Sequence, residues 1–382
     1  MTSSARSNTC IVCAKPITAD TDSKEHLIPA SIGGRASVTG VLHKACNNQA
    51  GQIWDAELAR QLQALTLHFG VKRQKQPPRL SVETTAGEQL LLGPDGKIEL
   101  QKPLISMKPT PFGPRFQITA RSMGEAREIL QGLKRKYPGI EVERELAGCQ
   151  VMASYPAGAI HHKLDFGGAI AGRSIIKSAL ALAHKVGVPV ESCDAALAYL
   201  RTPDAPACFG YYYTDDLLAR RPAEAPLHCV AIEADPATGL ILGYLEYFGI
   251  HRIVTCLGRG YRGRAICGSY AVDPRTGTKL DLKVRLRFTY DDVEAIYAYE
   301  KIPDGAIEAA FEAVLPAALK RQRQVERERL IDDAVSYAFA NCGAKPGEML
   351  TEQHVKKLAG LVSEHMTPWL MANVQRHRRS GD

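Results

Sequence analysis

The chain has 382 residues, 45% of them hydrophobic and 23% charged, with 48 Lys and Arg against 41 Asp and Glu for a net charge of +7. These are ordinary values for a folded water-soluble protein of two or three domains, so intrinsic disorder and collagen-like repeats are excluded. No apolar run is long enough to span a bilayer. The polar start of the chain lacks a secretory pattern, so a cytoplasmic location with reduced thiols is expected.

The first region, residues 1 to 70, holds three of the ten cysteines. Cys10 and Cys13 form a C-x-x-C pair, and His43 and Cys46 form an H-x-x-C pair. Each two-residue gap allows a tight turn that points both ligands inward, and four such ligands suit tetrahedral zinc. Ile53, Leu58, Leu62 and Leu65 then follow at helical spacing. Residues 71 to 79 are basic and contain two prolines, which reads as a linker.

Residues 80 to 303 read as a larger mixed α/β domain with antiparallel strands. Ser122 with Glu125 three residues on signals a helix start, and Pro138 and Gly139 place its end near Tyr137. A second helix is expected over Arg173 to Val186, with Ile175, Ile176, Leu180 and Leu182 as its apolar residues. His228 to Ala234 and Leu240 to Phe248 flank a turn, Asp235 to Gly239, and predict a hairpin. Leu280, Leu282, Val284, Leu286 and Phe288 alternate with charged residues, which predicts a half-buried strand. The stretch Gly258 to Arg264 mixes glycine, arginine and Tyr261. It reads as a loop between strands, or as a phosphate contact with Tyr261 stacked on a base.

Residues 304 to 382 form a helical C-terminal region. Asp304 is a candidate cap, Pro316 a kink or a new helix start, and Pro368 an interruption of the last helix. Clusters at Lys320 to Arg329 and Arg376 to Arg379 read as solvated basic faces.

Between the two ligand pairs lie Glu25, His26, Leu27, Ile28 and Pro29, then Gly33 and Gly34. Cys46 is followed by Asn47, and Asp55 comes soon after. In this order, CxxC, EHxIP, GG, HxxCN, the region resembles the zinc-stapled branch of the HNH endonucleases. The resemblance covers residues 10 to 62. It implies an α+β fold class with a small ββα-metal (treble-clef-like) module at the N-terminus, held by structural zinc on Cys10, Cys13, His43 and Cys46. It further implies His26 as general base, Asn47 as the residue that fixes the loop or the imidazole, and Glu25 and Asp55 as ligands of a catalytic Mg²⁺ or Mn²⁺. The implied substrate is DNA, with RNA open. Cutting both strands would favour a homodimer, and a bacterial defence or mobile-element role is the expected setting. Blander readings stand beside these. His26 could be a satisfied core histidine, Asn47 a helix cap, and Asp55 a first-turn residue favoured by the helix dipole. The alternative function is a noncatalytic zinc-finger binding module whose α/β domain does the main work.

Overall fold

The computed structural model describes residues 9–73, 78–111, 113–150, 155–162, 164–223 and 225–379, with side chains described to residue 374. The N-terminal part is a short hairpin of β1 (Glu25–His26) and β2 (Ser37–Val38), followed by α1 (Lys44–Ala50). A π-helical turn over Gly51–Asp55 leads into α2 (Ala56–Gln61) and α3 (Gln63–Phe69). This is a small hairpin-and-helix module of the expected kind.

Next come β3 (Leu80–Thr84), β4 (Gln89–Leu92), β5 (Ile98–Leu100), β6 (Leu104–Thr110) and β7 (Gly113–Thr119). They are followed by α4 (Met123–Lys136), α5 (Val142–Ala147) and β8 (Ile160–His161). The Ser122 hydroxyl accepts the Glu125 N–H and caps α4, which ends one residue before Tyr137, as the sequence predicts. Strands order as β5-β4-β3-β8, with β6 and β7 as a separate hairpin.

The chain continues through α6 (Gly168–Val186), α7 (Asp194–Arg201), β9 (Phe209–Tyr211) and β10 (Leu218–Ala219). Then follow β11 (His228–Asp235), β12 (Leu240–Tyr247), β13 (His251–Arg259), β14 (Ile266–Val272), β15 (Lys279–Leu280) and β16 (Lys283–Val284). A six-stranded antiparallel sheet orders these as β15-β14-β11-β12-β13-β9. The predicted hairpin is β11 and β12, turning at Asp235 to Gly239. The predicted strand from Leu280 to Phe288 is broken into two pieces. Lys279–Leu280 pairs with β14, while Lys283–Val284 pairs with β10. The burial alternation survives nonetheless, because Leu282, Leu286 and Phe288 cover the outer face of the sheet. The pattern recorded burial on one side, and that does not require a continuous ladder.

Helices α8 (Tyr290–Tyr297), α9 (Ala306–Glu312), α10 (Leu315–Asn341) and α11 (Glu352–Arg379) complete the chain. Gly305, not Asp304, precedes α9, and no side chain caps it. Pro316 lies in the first turn of α10, where its missing N–H costs nothing. Pro368 sits inside α11 without ending it. Among the described residues no helix is long and apolar enough to cross a membrane.

The chain divides into two compact units. One takes the described residues of Met1–Pro77 and Leu164–Arg321, the other those of Pro78–Lys163 and Gln322–Asp382. In the first unit, α6 is buried along most of its length, with Ala171, Ile175, Ile176, Ala179 and Leu180 shut off from solvent. A helix buried this deeply must be covered on more than one side. The large sheet covers one side of α6, and β1, β2, α2 and the π turn cover another. Residues of the N-terminal module, among them Leu27, Ile28, Leu58 and Leu62, therefore share one hydrophobic core with α6 and the sheet.

Candidate functional site

The two ligand pairs converge. Cys10 and Cys13 lie on a tight turn in which the Ala14 N–H reaches Cys10 O at 2.9 Å. His43 precedes α1 and Cys46 sits in its first turn. The candidate ligand atoms of Cys10, Cys13, His43 and Cys46 all lie within 4.8 Å of one another. A zinc tetrahedron with Zn–S near 2.3 Å has edges a little under about 4 Å, so the four residues could hold a zinc ion. The His43 ring is already oriented. Its Nε2–H donates to Pro16 O at 2.9 Å, since a carbonyl only accepts, and this leaves the Nδ1 lone pair facing Cys13 Sγ at 3.1 Å. A backbone acceptor behind the ligand histidine is the usual support of a zinc site. Burial pushes the Cys13 thiol up, but the Lys15 N–H and contacts with Cys10, Cys46 and His43 bring it down to about 7.

The hairpin places the acidic-His pair. Glu25 faces Val38 and His26 faces Ser37 across the ladder. Leu27, Ile28 and Ile32 behind them are fully buried, so the apolar part of the EHxIP motif anchors the loop. Gly33 and Gly34 make the return possible. Gly33 has φ +103°, and a Cβ on Gly34 would come within 1.7 Å of Ile28 O. His26 is half-buried and makes no hydrogen bond among the described residues. Burial lowers its pKa and the Lys177 charge lowers it further, against an opposing pull from Asp55, so the imidazole stays neutral near pH 7.

Asn47 lies inside α1 rather than capping it. Its Nδ2 donates to Ser23 Oγ at 3.2 Å and to Lys24 O at 3.0 Å, which clamps the two residues just before Glu25. Ser23 in turn donates to Leu42 O at 2.8 Å. The approach to the hairpin is thus tied to the ligand-bearing segment from both sides.

Asp55 ends the π turn, and the extra residue of that turn changes the helical phase. Ile53, expected on the apolar face, is 46% exposed, while Asp55 is swung toward α6. There it meets a residue the sequence reading did not single out. Lys177 Nζ donates to Asp55 Oδ2 at 2.9 Å and forms an ion pair with Glu25 Oε1. Ser174, one turn earlier on α6, donates to Asp55 Oδ1 at 2.5 Å. The Lys177 side chain is only 1% exposed. Burial opposes its charge, but the two carboxylates outweigh burial and hold its pKa above the ordinary lysine value. A signal for Lys177 existed in the sequence, a lysine flanked by Ile175, Ile176, Ala179 and Leu180 in a mainly apolar helix, with Arg173 and Ser174 one turn earlier.

This contact bears directly on the divalent cation expected at Glu25 and Asp55. Such an ion needs free carboxylate oxygens at about 2.0–2.6 Å. Here one oxygen of each carboxylate is turned to the Lys177 ammonium. The pair does not fit a divalent ion beside that lysine.

Residues 10–63 match the family model for HNH endonuclease. The HNH match spans both ligand pairs, Glu25, His26, Asn47 and Asp55, and ends before α6 supplies Lys177 and Ser174. No curated protein and no solved structure matches the chain. Other candidates fare differently. Tyr261 is buried and its hydroxyl donates to Arg264 O, so the ring is not offered to a base. Lys283, Arg285 and Arg287 do form an exposed cationic face. The side chains of Arg376 to Arg379 lie outside the described residues.

Proposed function

We propose that the HNH region is a nuclease that hydrolyses phosphodiester bonds in DNA, with His26 as general base. The observation that carries this reading is the placement of His26: half-buried beside Glu25, without a side-chain hydrogen bond among the described residues, on a strand whose approach Asn47 clamps. A neutral imidazole can take a proton from a water as its oxygen attacks phosphorus. The P–O bond to the leaving sugar oxygen then breaks, and that oxygen takes up a proton. Zinc, when bound, supplies a crosslink between the Cys10 turn and α1. The exposed Lys283, Arg285 and Arg287 face would attract the substrate's phosphates over a distance. One module cuts one strand, so double-strand cutting calls for a homodimer, and a bacterial defence or mobile-element setting belongs to the same proposal.

The test is nicking of supercoiled plasmid by wild type and His26→Ala, zinc content being matched first. Wild type is expected to nick the plasmid, and His26→Ala to lose at least about 100-fold of that rate, the scale of general-base catalysis. Cutting that survives the substitution would remove His26 from the mechanism. A second reading, a zinc-held binding module without chemistry, is favoured by the commitment of Glu25 and Asp55 to Lys177. It is the one supported if wild type binds duplex DNA and nicks none.

A further inference from the structure

Glu25 and Asp55 belong to the HNH region, whereas the cation between them belongs to α6, more than a hundred residues further along the chain. We propose that the Lys177 ammonium is a built-in cation holding the place between Glu25 and Asp55, so that this carboxylate pair binds no divalent metal.

Three observations carry the inference. The first is contact. Lys177 reaches Glu25 Oε1 and Asp55 Oδ2 at once, so the space a metal would need between the two carboxylates is filled by Nζ. Ser174 occupies the other oxygen of Asp55 at 2.5 Å. The second is confinement. Lys177 lies in the middle of α6, next to the fully buried Ile176 and Ser178. Swinging the ammonium away would leave a charge in the apolar core, where an unpaired charge is strongly disfavoured. The third is charge. With the ammonium in place the two carboxylates carry at most one net negative charge. An incoming divalent ion would meet a fixed positive charge at short range in a medium that screens poorly. A lysine suits this place because its ammonium is a compact point charge with three donors.

The inference concerns what fills the carboxylate pair, and it stands whether or not His26 cleaves DNA. It is tested on the zinc-loaded full chain by titrating Mn²⁺ and following the electron paramagnetic resonance signal of the free ion. Wild type is expected to bind no Mn²⁺ in the micromolar range. Lys177→Met keeps the length of the side chain and removes its charge. It is expected to gain a Mn²⁺ site that is at least about tenfold tighter than anything in wild type, since two hard oxygen donors are then released. Adding Asp55→Asn to Lys177→Met should abolish the gained site. Wild-type binding of one Mn²⁺ that disappears in Asp55→Asn would overturn the proposal. So would a folded Lys177→Met protein that gains no site. Should Lys177→Met fail to fold, the wild-type and Asp55→Asn titrations decide the matter.

Discussion

Ser174 and Asp55 lie 119 positions apart in the chain and are joined by a 2.5 Å hydrogen bond, with Lys177 Nζ on the second oxygen of the same carboxylate at 2.9 Å. One turn of α6 thus holds both oxygens of Asp55. Removing the carboxylate strands Lys177 with only Glu25 in a buried setting. Asp55→Ala is therefore expected to destabilise the first unit by about 3–5 kcal/mol, the cost of breaking a buried pair from one side. Ser174→Ala should cost about 1–2 kcal/mol, since the acceptor keeps its lysine. Urea unfolding of both variants and the double variant checks this. The double variant should fall short of the sum, because both substitutions strip the same carboxylate.

Zinc is expected at one ion per chain, read by chromophoric chelator titration after unfolding. Cys13→Ser and Cys46→Ser should each lose it, because each removes a corner of the tetrahedron. Stripping the metal should also lower the melting temperature of the first unit. The Cys10 turn supplies Cys10 and Ile11 to the shared core, so its release opens apolar surface well beyond the ligands.

Asn47→Ala removes the two donors that clamp Ser23 and Lys24. If cleavage runs through His26, the loss should appear in kcat, by about 10- to 100-fold, with KM nearly unchanged. Two lost hydrogen bonds of about 1–1.5 kcal/mol each set that scale. Zinc content should remain at the wild-type level, since the Asn47 side chain hydrogen-bonds Ser23 and Lys24 and no ligand, and its backbone bond to His43 O survives the substitution. A loss confined to KM would mean that Asn47 serves substrate binding instead.

Two buried histidines add to the acid sensitivity of the first unit. His228 donates from Nε2 to Ile32 O at 2.8 Å and accepts the Phe248 N–H on Nδ1 at 3.1 Å, so only the neutral ring satisfies both. Burial lowers its pKa to about 4, against opposing pulls from the Ile32 carbonyl and the Asp273 charge. His251, stacked on Phe166 at 3.8 Å, is lowered by burial to about 3. In the unfolded chain both protonate near the ordinary value of about 6.5. Their contribution is thus fully present above about pH 6.5 and is lost as the pH falls, down to about pH 4 for His228 and about pH 3 for His251. Unfolding free energy measured from pH 7 to pH 4 should fall accordingly. His228→Gln should flatten part of that slope, and an unchanged slope in the variant would exclude His228 as a source.

Much of the site was legible because its signals are local. The Cys10, Cys13, His43 and Cys46 spacing needs only two tight turns to bring four ligands together, and it does. The Glu25 and His26 hairpin follows from an apolar Leu27–Ile28 anchor and two glycines that make the return. The hairpin of His228–Asp235 with Leu240–Tyr247 follows from alternation around a glycine-ended turn. What escaped notice depends on geometry that short patterns do not encode. A π turn inserts one residue and rotates Ile53 outward and Asp55 inward, although Gly51 to Asp55 look like ordinary helix. Lys177 escaped because a single lysine at helical spacing reads as a surface residue until the helix is known to be covered on more than one side. Asp304 lost its capping role because Gly305 takes the position before α9 in a left-handed conformation that suits glycine.

The helix Gly168–Val186 serves as a common wall for the sheet and the hairpin module. Phe69 stacks on Phe248 of the sheet region at 5.4 Å, and His228 holds the carbonyl of Ile32. A fragment cut after the matched region would expose Leu58 and Leu62 and leave Glu25 without its lysine. The HNH region of this chain is therefore not a portable cassette. Anyone grafting it onto another carrier would have to bring the wall along with it.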